Sequence, residues 1–571
     1  MKRNILIIYG TLLSTTIIAQ NPLVIPATLS GTNFNLTVQS GTKTFYGTIP
    51  TPTYGVNGLW LAPTLIVNKG DSITLNVINN LPVKTTMHWH GLHVAPENDG
   101  GPHQSIKPNT TWSPSFKIRN NAGTFWYHPH GAGQTDPQVS KGIAGLLIVK
   151  DNVEAALNLP RTYGVDDFPL IVQSKAFDEL QQIATATGMD TALFVNGTLN
   201  PYLDAPEQVV RFRLLNGSSL RSYNFGLSNG QSFYQIATDG GILDTSIKLS
   251  RLRLSPGERA EILINLSGMK GQTVYLKSYS SELPNGIYGA DSVGNANNKI
   301  HDYDDNFLNG ADFNLLKINV VSATSGAITS ITKSLASINP FNILSATKNR
   351  RIVMDTIRLL SFETPNRAEG PFGMNNKSFN MEVVNEVVHL NTTEIWTLVN
   401  KTLVAHPFHI HDIQFNIIEK SGKQPPANER GWKDVVLVMP NDSIKFITKF
   451  TTFSNSKVPY MYHCHLLHHE DDGMMGSFLV VDSALGIGDL TFSKSIQIFP
   501  NPVYSYITLK LNLDLSDAKW SILNVLGETI LEEKFNNMDN TTLDVSGLTK
   551  GVYFLKVNTA HKIVTQKFIK Q

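Results

Sequence analysis

The chain has 571 residues, a formal net charge of +1 and no long basic run, which excludes nucleic acid and an anionic membrane surface as indicated partners. Its length excludes a single core, and a charged fraction of only 16% with abundant Gly, Pro, Asn and Thr points to an all-β protein of several domains. The chain opens with Lys2 and Arg3, a mostly apolar run from Ile5 to Ile18 and the small-residue site Ala19-Gln20. A secretory signal over residues 1–20 is the expectation. The alternative is a membrane anchor, but the apolar run falls short of the roughly 20 residues a span requires. No transmembrane segment is expected in the mature chain. An exported chain with one cysteine forms no internal disulfide, so Cys464 needs another partner.

Residues 21–155 read as a first β domain. Leu65-Ile66-Val67 and the run from Ile73 to Ile78 are short strand patterns parted by the turn Lys69-Gly70-Asp71. His88-Trp89-His90 then sets two histidines at i and i+2, which share a face if the segment is a strand. His128-Pro129-His130 repeats the device, with Pro129 expected at a strand edge or end because it cannot donate a ladder hydrogen bond. One histidine in a strand is ordinarily structural, whereas two such pairs in one domain-sized segment point to metal.

Residues 156–322 read as a second β domain, expected to be scaffold. Arg211 to Leu215 and Arg251 to Leu254 alternate, and residues 281–312 read as a long loop with His301 in solvent. A Ser/Thr/Ala-rich linker at 323–349 leads to a third domain at 350–483. There Glu394 to Asn400 alternates into His406-Pro407-Phe408-His409-Ile410-His411, and Tyr462-His463-Cys464-His465 is followed by His469, Glu470 and Met474. Past a second linker at 484–494, residues 495–571 read as a small β-sandwich with His561 at its surface.

Cys464 alone fits either a buried structural thiol or a metal ligand. On a strand it faces away from His463 and His465, so the three side chains can serve two centres joined by covalent neighbours. Of 16 histidines, eight lie in the four pairs 88/90, 128/130, 409/411 and 463/465. A thiolate, a thioether and two imidazoles favour a blue-copper site, and Cys464, Met474, His406 and His469 supply that set. Eight further imidazoles suffice for three more copper ions.

On these motifs the chain resembles the multicopper oxidases of the laccase and bilirubin-oxidase type over roughly residues 30–482. The resemblance implies three cupredoxin-like Greek-key β-sandwich domains and four copper ions. By motif, His406, Cys464, His469 and Met474 match the type 1 site, His88 and His409 the type 2 site. His90, His128, His130, His411, His463 and His465 match the type 3 pair. The resemblance further implies that a small reducing substrate gives single electrons through His469, that these pass by Cys464 to His463 and His465, and that O2 becomes water. Asp99 and Glu470 match proton-relay positions; otherwise they are turn or surface carboxylates. Asp412 is expected to orient a ligand imidazole, and His93, His103 and His468 to lie behind the ligands or at the surface.

The expected donor is a phenol or a bilirubin-like tetrapyrrole. A cuprous-ion oxidase for copper tolerance is the nearest alternative, but the 12 methionines form no soft-ligand cluster. A copper nitrite reductase would lack the type 3 pair. From a different class, a copper-storing or electron-carrying protein would leave eight imidazoles unexplained. The C-terminal unit resembles the sorting domain of type IX secretion in Bacteroidetes, on Phe499-Pro500-Asn501-Pro502 and the run from Gly551 to Val557. That implies export through the type IX machinery to the cell surface or beyond, with an immunoglobulin-like binding domain as the alternative.

Overall fold

The computed structural model describes residues 20–294, 300, 303–357, 371–482, 496–511, 519–525, 527–534, 541–558 and 563–571. The expected signal up to residue 19, the linker at 484–494, His301 and His561 lie outside them. Strand accounts for 49% of the chain and helix for 5%, as the composition indicates.

The first pair of sheets shows how alternation builds the fold. Phe34, Leu36 and Val38 of strand Asn33–Thr44 and Ile73, Leu75 and Val77 of Ser72–Asn79 point into one core. Leu65, Val67, Leu147 and Val149 close that core from the opposing sheet. This opposing sheet runs Thr28–Ser30, Thr64–Asn68, Gly145–Lys150, Gly123–His128, His88–His90 in spatial order. The second sandwich packs Phe168, Leu170, Phe212 and Leu214 of one sheet against Phe225, Leu276, Leu316 and Ile318 of the other.

In the third, strands Thr393–Asn400 and Ser443–Lys449 face His406–Ile410 and Tyr460–Cys464. Trp396 and Tyr462 meet at 5.8 Å between ring centroids, Phe408 and Phe446 at 6.0 Å. Its first strand, Ala346–Thr356, begins inside the stretch expected to be linker.

Two features position the site. Strand His88–His90 lies beside Gly123–His128 with His88 opposite His128, and His406–Ile410 lies beside Tyr460–Cys464 with His409 opposite His463. The histidine pairs of each sandwich therefore come from neighbouring strands. Pro129 falls just past the end of its strand, where the missing N–H costs nothing.

A second compact unit comprises Val384–Leu390, Ser454–Lys457 and Phe478–Gln571. Within it, sheets of three and four strands enclose Ile507, Leu509, Trp520, Ile522, Leu555 and Val557, a small β-sandwich. Among the described residues no helix is long and apolar enough to cross a membrane.

Candidate metal centres

The eight paired imidazoles converge between the first and third sandwiches, all 1% exposed or less. Their donor atoms gather into three buried groups: His88, His409 and His411; His90, His128 and His465; and His130, His411 and His463. Within each group the donors lie within 4.8 Å of one another. His130 Nε2 stands 3.1 Å from His463 Nε2 and from His411 Nε2, and His128 Nε2 3.4 Å from His90 Nδ1. Burial lowers the pKa of His90, His128, His130, His409, His411 and His465 well below the ordinary value and that of His88 to about 3, so their inward nitrogens carry lone pairs.

The outward nitrogens fix the tautomers. Nδ1–H donates to a backbone oxygen in His88 (Asp99 O, 2.9 Å), His409 (Asp434 O, 2.8 Å), His128 (Pro129 O, 2.8 Å) and His463 (Cys464 O, 3.0 Å). His90 is inverted: its Nε2–H donates to Asp434 Oδ1 at 3.2 Å, leaving Nδ1 inward. Two buried carboxylates complete the ring. Asp99 Oδ2 accepts from His411 Nδ1 at 2.6 Å. Glu470 lies 3.0 Å from His463 Nδ1 and 3.3 Å from His130 Nδ1, and accepts from Thr135 Oγ1 at 2.7 Å. Burial pushes Asp99 up to about 6 against the pull of His88 and His463. Burial also acts to raise Glu470, but His130 and His463 outweigh it and hold that carboxyl below its ordinary value.

A fourth buried group is His406, Cys464 and His469. Cys464 Sγ lies 3.4 Å from His406 Nδ1 and 3.9 Å from His469 Nδ1, and the two Nδ1 atoms are 3.3 Å apart. His406 Nε2–H donates to Thr402 Oγ1 at 2.8 Å, which turns Nδ1 inward. Met474 is tied in by its backbone: its N–H donates to His469 O, and its carbonyl accepts from Cys464 N–H. Burial raises the Cys464 thiol well above its ordinary value, so a metal must displace that proton on binding.

These donors suit copper on the structure's own terms. His88 Nε2, His409 Nε2 and His465 Nε2 are buried without a hydrogen-bond partner, a cost that a bound cation removes. Thiolate with imidazoles is a soft set, and imidazole alone suits copper equally.

The strand-parity expectation for 463–465 holds: His463 and His465 join the imidazole groups and Cys464 the other. Asp412 departs from expectation. Its φ of +69° sits just past the histidine strand, and its carboxylate lies 2.7 Å from His93 Nδ1 instead of a ligand ring. His93, His103 and His468 stay outside the donor groups: His103 Nε2–H donates to Met381 O at 3.1 Å and His468 faces Asp472 at 3.5 Å.

Sequence reasoning missed Asp434 and Arg259. Arg259 grips both oxygens of Asp434, at 2.5 and 2.7 Å, so the second sandwich braces the side chain that holds His90 and the carbonyl that holds His409. It also missed Thr402 and Tyr288, whose hydroxyl lies 3.1 Å from His469 Nε2. The second sandwich is therefore more than scaffold; none of these residues carries a motif of its own.

Comparison with known proteins agrees with this geometry. Family models described as "Multicopper oxidase" match residues 37–154 and 348–484, and one described as "Secretion system C-terminal sorting domain" matches 497–571. The chain is 35% identical to "Multicopper oxidase mco" of Staphylococcus haemolyticus, covering 79% of this chain and 89% of that one. It is 30% identical to "Cell division protein FtsP" of Photorhabdus laumondii, covering 81% and 93%. Among solved structures it resembles a laccase-like multicopper oxidase, CueO, from Ochrobactrum sp., at 31% identity and a TM-score of 0.70, covering 81% of this chain and all of that one.

Proposed function

This chain belongs to the multicopper oxidase family, and on that premise we propose the parts its residues play. It is a copper-dependent oxidoreductase that uses O2 as acceptor. His406, Cys464, His469 and Met474 would hold one copper and His88 with His409 a second. His90, His128 and His465, with His130, His411 and His463, would hold a pair. Bound copper supplies one-electron redox chemistry at the thiolate set and four-electron reduction of O2 to water at the imidazole set.

The observation that carries this reading is Cys464 standing between His463 and His465, which joins the two donor sets through the chain itself. The surrounding residues do the rest. Asp434 and Asp99 accept the outward N–H groups of His90 and His411 and so aim their lone pairs, and Glu470 lies beside Nδ1 of His463 and His130. Asp99 and Glu470, both buried against ligand rings, are placed to pass protons inward, with Thr135 donating to Glu470.

The donor is a small reducing molecule of the phenol or tetrapyrrole class, with Cu(I) as the alternative. The chain is cut as a signal (1–20), cupredoxin domains (21–155, 156–322, 350–483) and a sorting domain (495–571) that sends it out through type IX secretion. A role without copper gives no reason for ten histidines and the one cysteine to be gathered in two buried sets.

Purified, copper-loaded protein should be blue, hold about four copper ions per chain, and take up O2 with at least one of a phenol, bilirubin, Cu(I) or hexacyanoferrate(II). A colourless zinc protein, or one inert toward O2 with all four donors, refutes the assignment.

A further inference from the structure

The imidazole of His469 is only 1% exposed, and its Nε2 edge meets the hydroxyl of Tyr288 at 3.1 Å instead of solvent. Tyr288 comes from the long loop of the second sandwich and is itself 3% exposed. The loop is built to deliver it. Gly286 and Gly289 flank the Ile287-Tyr288 pair with φ of +96° and +105°, and a Cβ on Gly286 would stand 2.4 Å from Pro440.

Between these turns Ile287 enters an apolar cluster with Leu283, Ala405 and Leu437. Ala405 N–H donates to Gly286 O at 2.7 Å, and Ser222 N–H to Tyr288 O at 2.9 Å. Tyr288 is thus anchored from two sandwiches. Phe372 covers another side of the imidazole, 4.7 Å between centroids. Outward of Tyr288 lies the half-buried Tyr303, ring edge to face at 6.0 Å.

With His469 Nδ1 turned toward Cys464, its Nε2–H donates to the Tyr288 hydroxyl. A phenolic donor seeking that N–H meets a phenol already in place. We propose that Tyr288 is the specificity-determining residue of the donor side: its own phenol fills the position from which a phenolic donor would hydrogen-bond to His469. Donors therefore approach across the Tyr288–Tyr303 face. Within the donor classes proposed above, this favours small one-electron donors that need no hydrogen bond to the imidazole over bulky phenols that do.

Each donor molecule loses one electron, a phenol also releasing its hydroxyl proton to solvent, and Tyr288 ends with its own proton and electrons unchanged. Four such electrons and four protons turn one O2 into two waters. The proposal rests on the copper assignment above.

The test uses full-length, copper-loaded protein and three observables: the visible band, the reduction potential of the blue centre, and its anaerobic bleaching rate with hexacyanoferrate(II) or a dimethoxyphenol. Tyr288→Ala should speed bleaching by the phenol about tenfold or more while the hexacyanoferrate(II) rate changes far less. Tyr288→Phe keeps the cover and the donor preference but removes the acceptor of Nε2–H, making the imidazole a poorer base and raising the potential. Tyr288→Leu, too short to reach Nε2, replaces the Ala variant if that does not fold.

An unchanged donor ratio in Tyr288→Ala or →Leu, or an unchanged potential in Tyr288→Phe, overturns the proposal. A wild-type protein with no blue band fails the copper assignment instead, so the two failures are distinguishable.

Discussion

Cys464 shows how far single residues could be understood before the fold was known. Its spacing between two histidines predicted that its side chain would part company with theirs, and it does. What the spacing could not give was the outer partner of each ring. His90 is turned the opposite way from His88 because Asp434, 344 residues later, takes its Nε2–H. Parity along a strand is local information, whereas a tautomer is set by whatever arrives from elsewhere. The residue-level prediction concerns Cys464→Ser. A hydroxyl is a poor soft-metal ligand, so this variant should lose the blue band and fall to background O2 uptake with every donor, while keeping the copper bound by the eight paired imidazoles. Metal analysis beside the visible spectrum checks this; full turnover in the variant would refute the role given to the thiol.

At the scale of elements, alternation identified strands well, including Thr64–Asn68, Ser72–Asn79, Val209–Asn216 and Thr393–Asn400. It told which side chains share a face but not which face meets water. Arg211 and Arg213 look like the solvent side of their strand, yet both are buried (1% and 3% exposed) against Glu261, Asp167 and Glu154. The turn after His88–His90 is a second case. Asp99 reaches the centre because Gly100 takes φ +80° with its α-carbon pressed on strand backbone; an added Cβ would sit 1.8 Å from Met87 O. Gly100→Ala should therefore shift the turn that holds His88 and His411, costing more than about 1 kcal/mol of stability and lowering copper content. Urea unfolding of the metal-free variant and metal analysis of the loaded one would show it; wild-type values in both would mean the turn has slack.

For the whole molecule, the sequence indicated several sandwiches in the right order, and the motifs indicated which of them carry metal. The ties between sandwiches were hidden, because they are made of charged residues with no pattern. Glu261 accepts from Arg211, Arg213 and Thr124, the last on the strand that ends in His128. Burial alone would raise Glu261, but the two guanidinium groups prevail and hold it at about 2, below its ordinary 4.5. A depressed carboxyl stabilises the fold above its unfolded value and loses that contribution as pH falls from 4.5 toward 2. Glu261→Gln leaves two arginines buried without their full charge partner and should destabilise the chain by about 3–5 kcal/mol at neutral pH. It should also flatten the acid limb of a stability-against-pH curve; an unchanged acid limb would count against the tie.

His130 and His463 meet at one centre from positions 333 residues apart. Biosynthesis runs from one end, so His88, His90, His128 and His130 exist as a half-set long before the other half has been made. Until residue 406 leaves the ribosome, any copper captured there meets only the four paired imidazoles of the first half, and the thiolate of Cys464 comes later still. Correct loading must therefore wait for a nearly finished chain, and a cell that exposes the nascent protein to copper early invites misplaced metal.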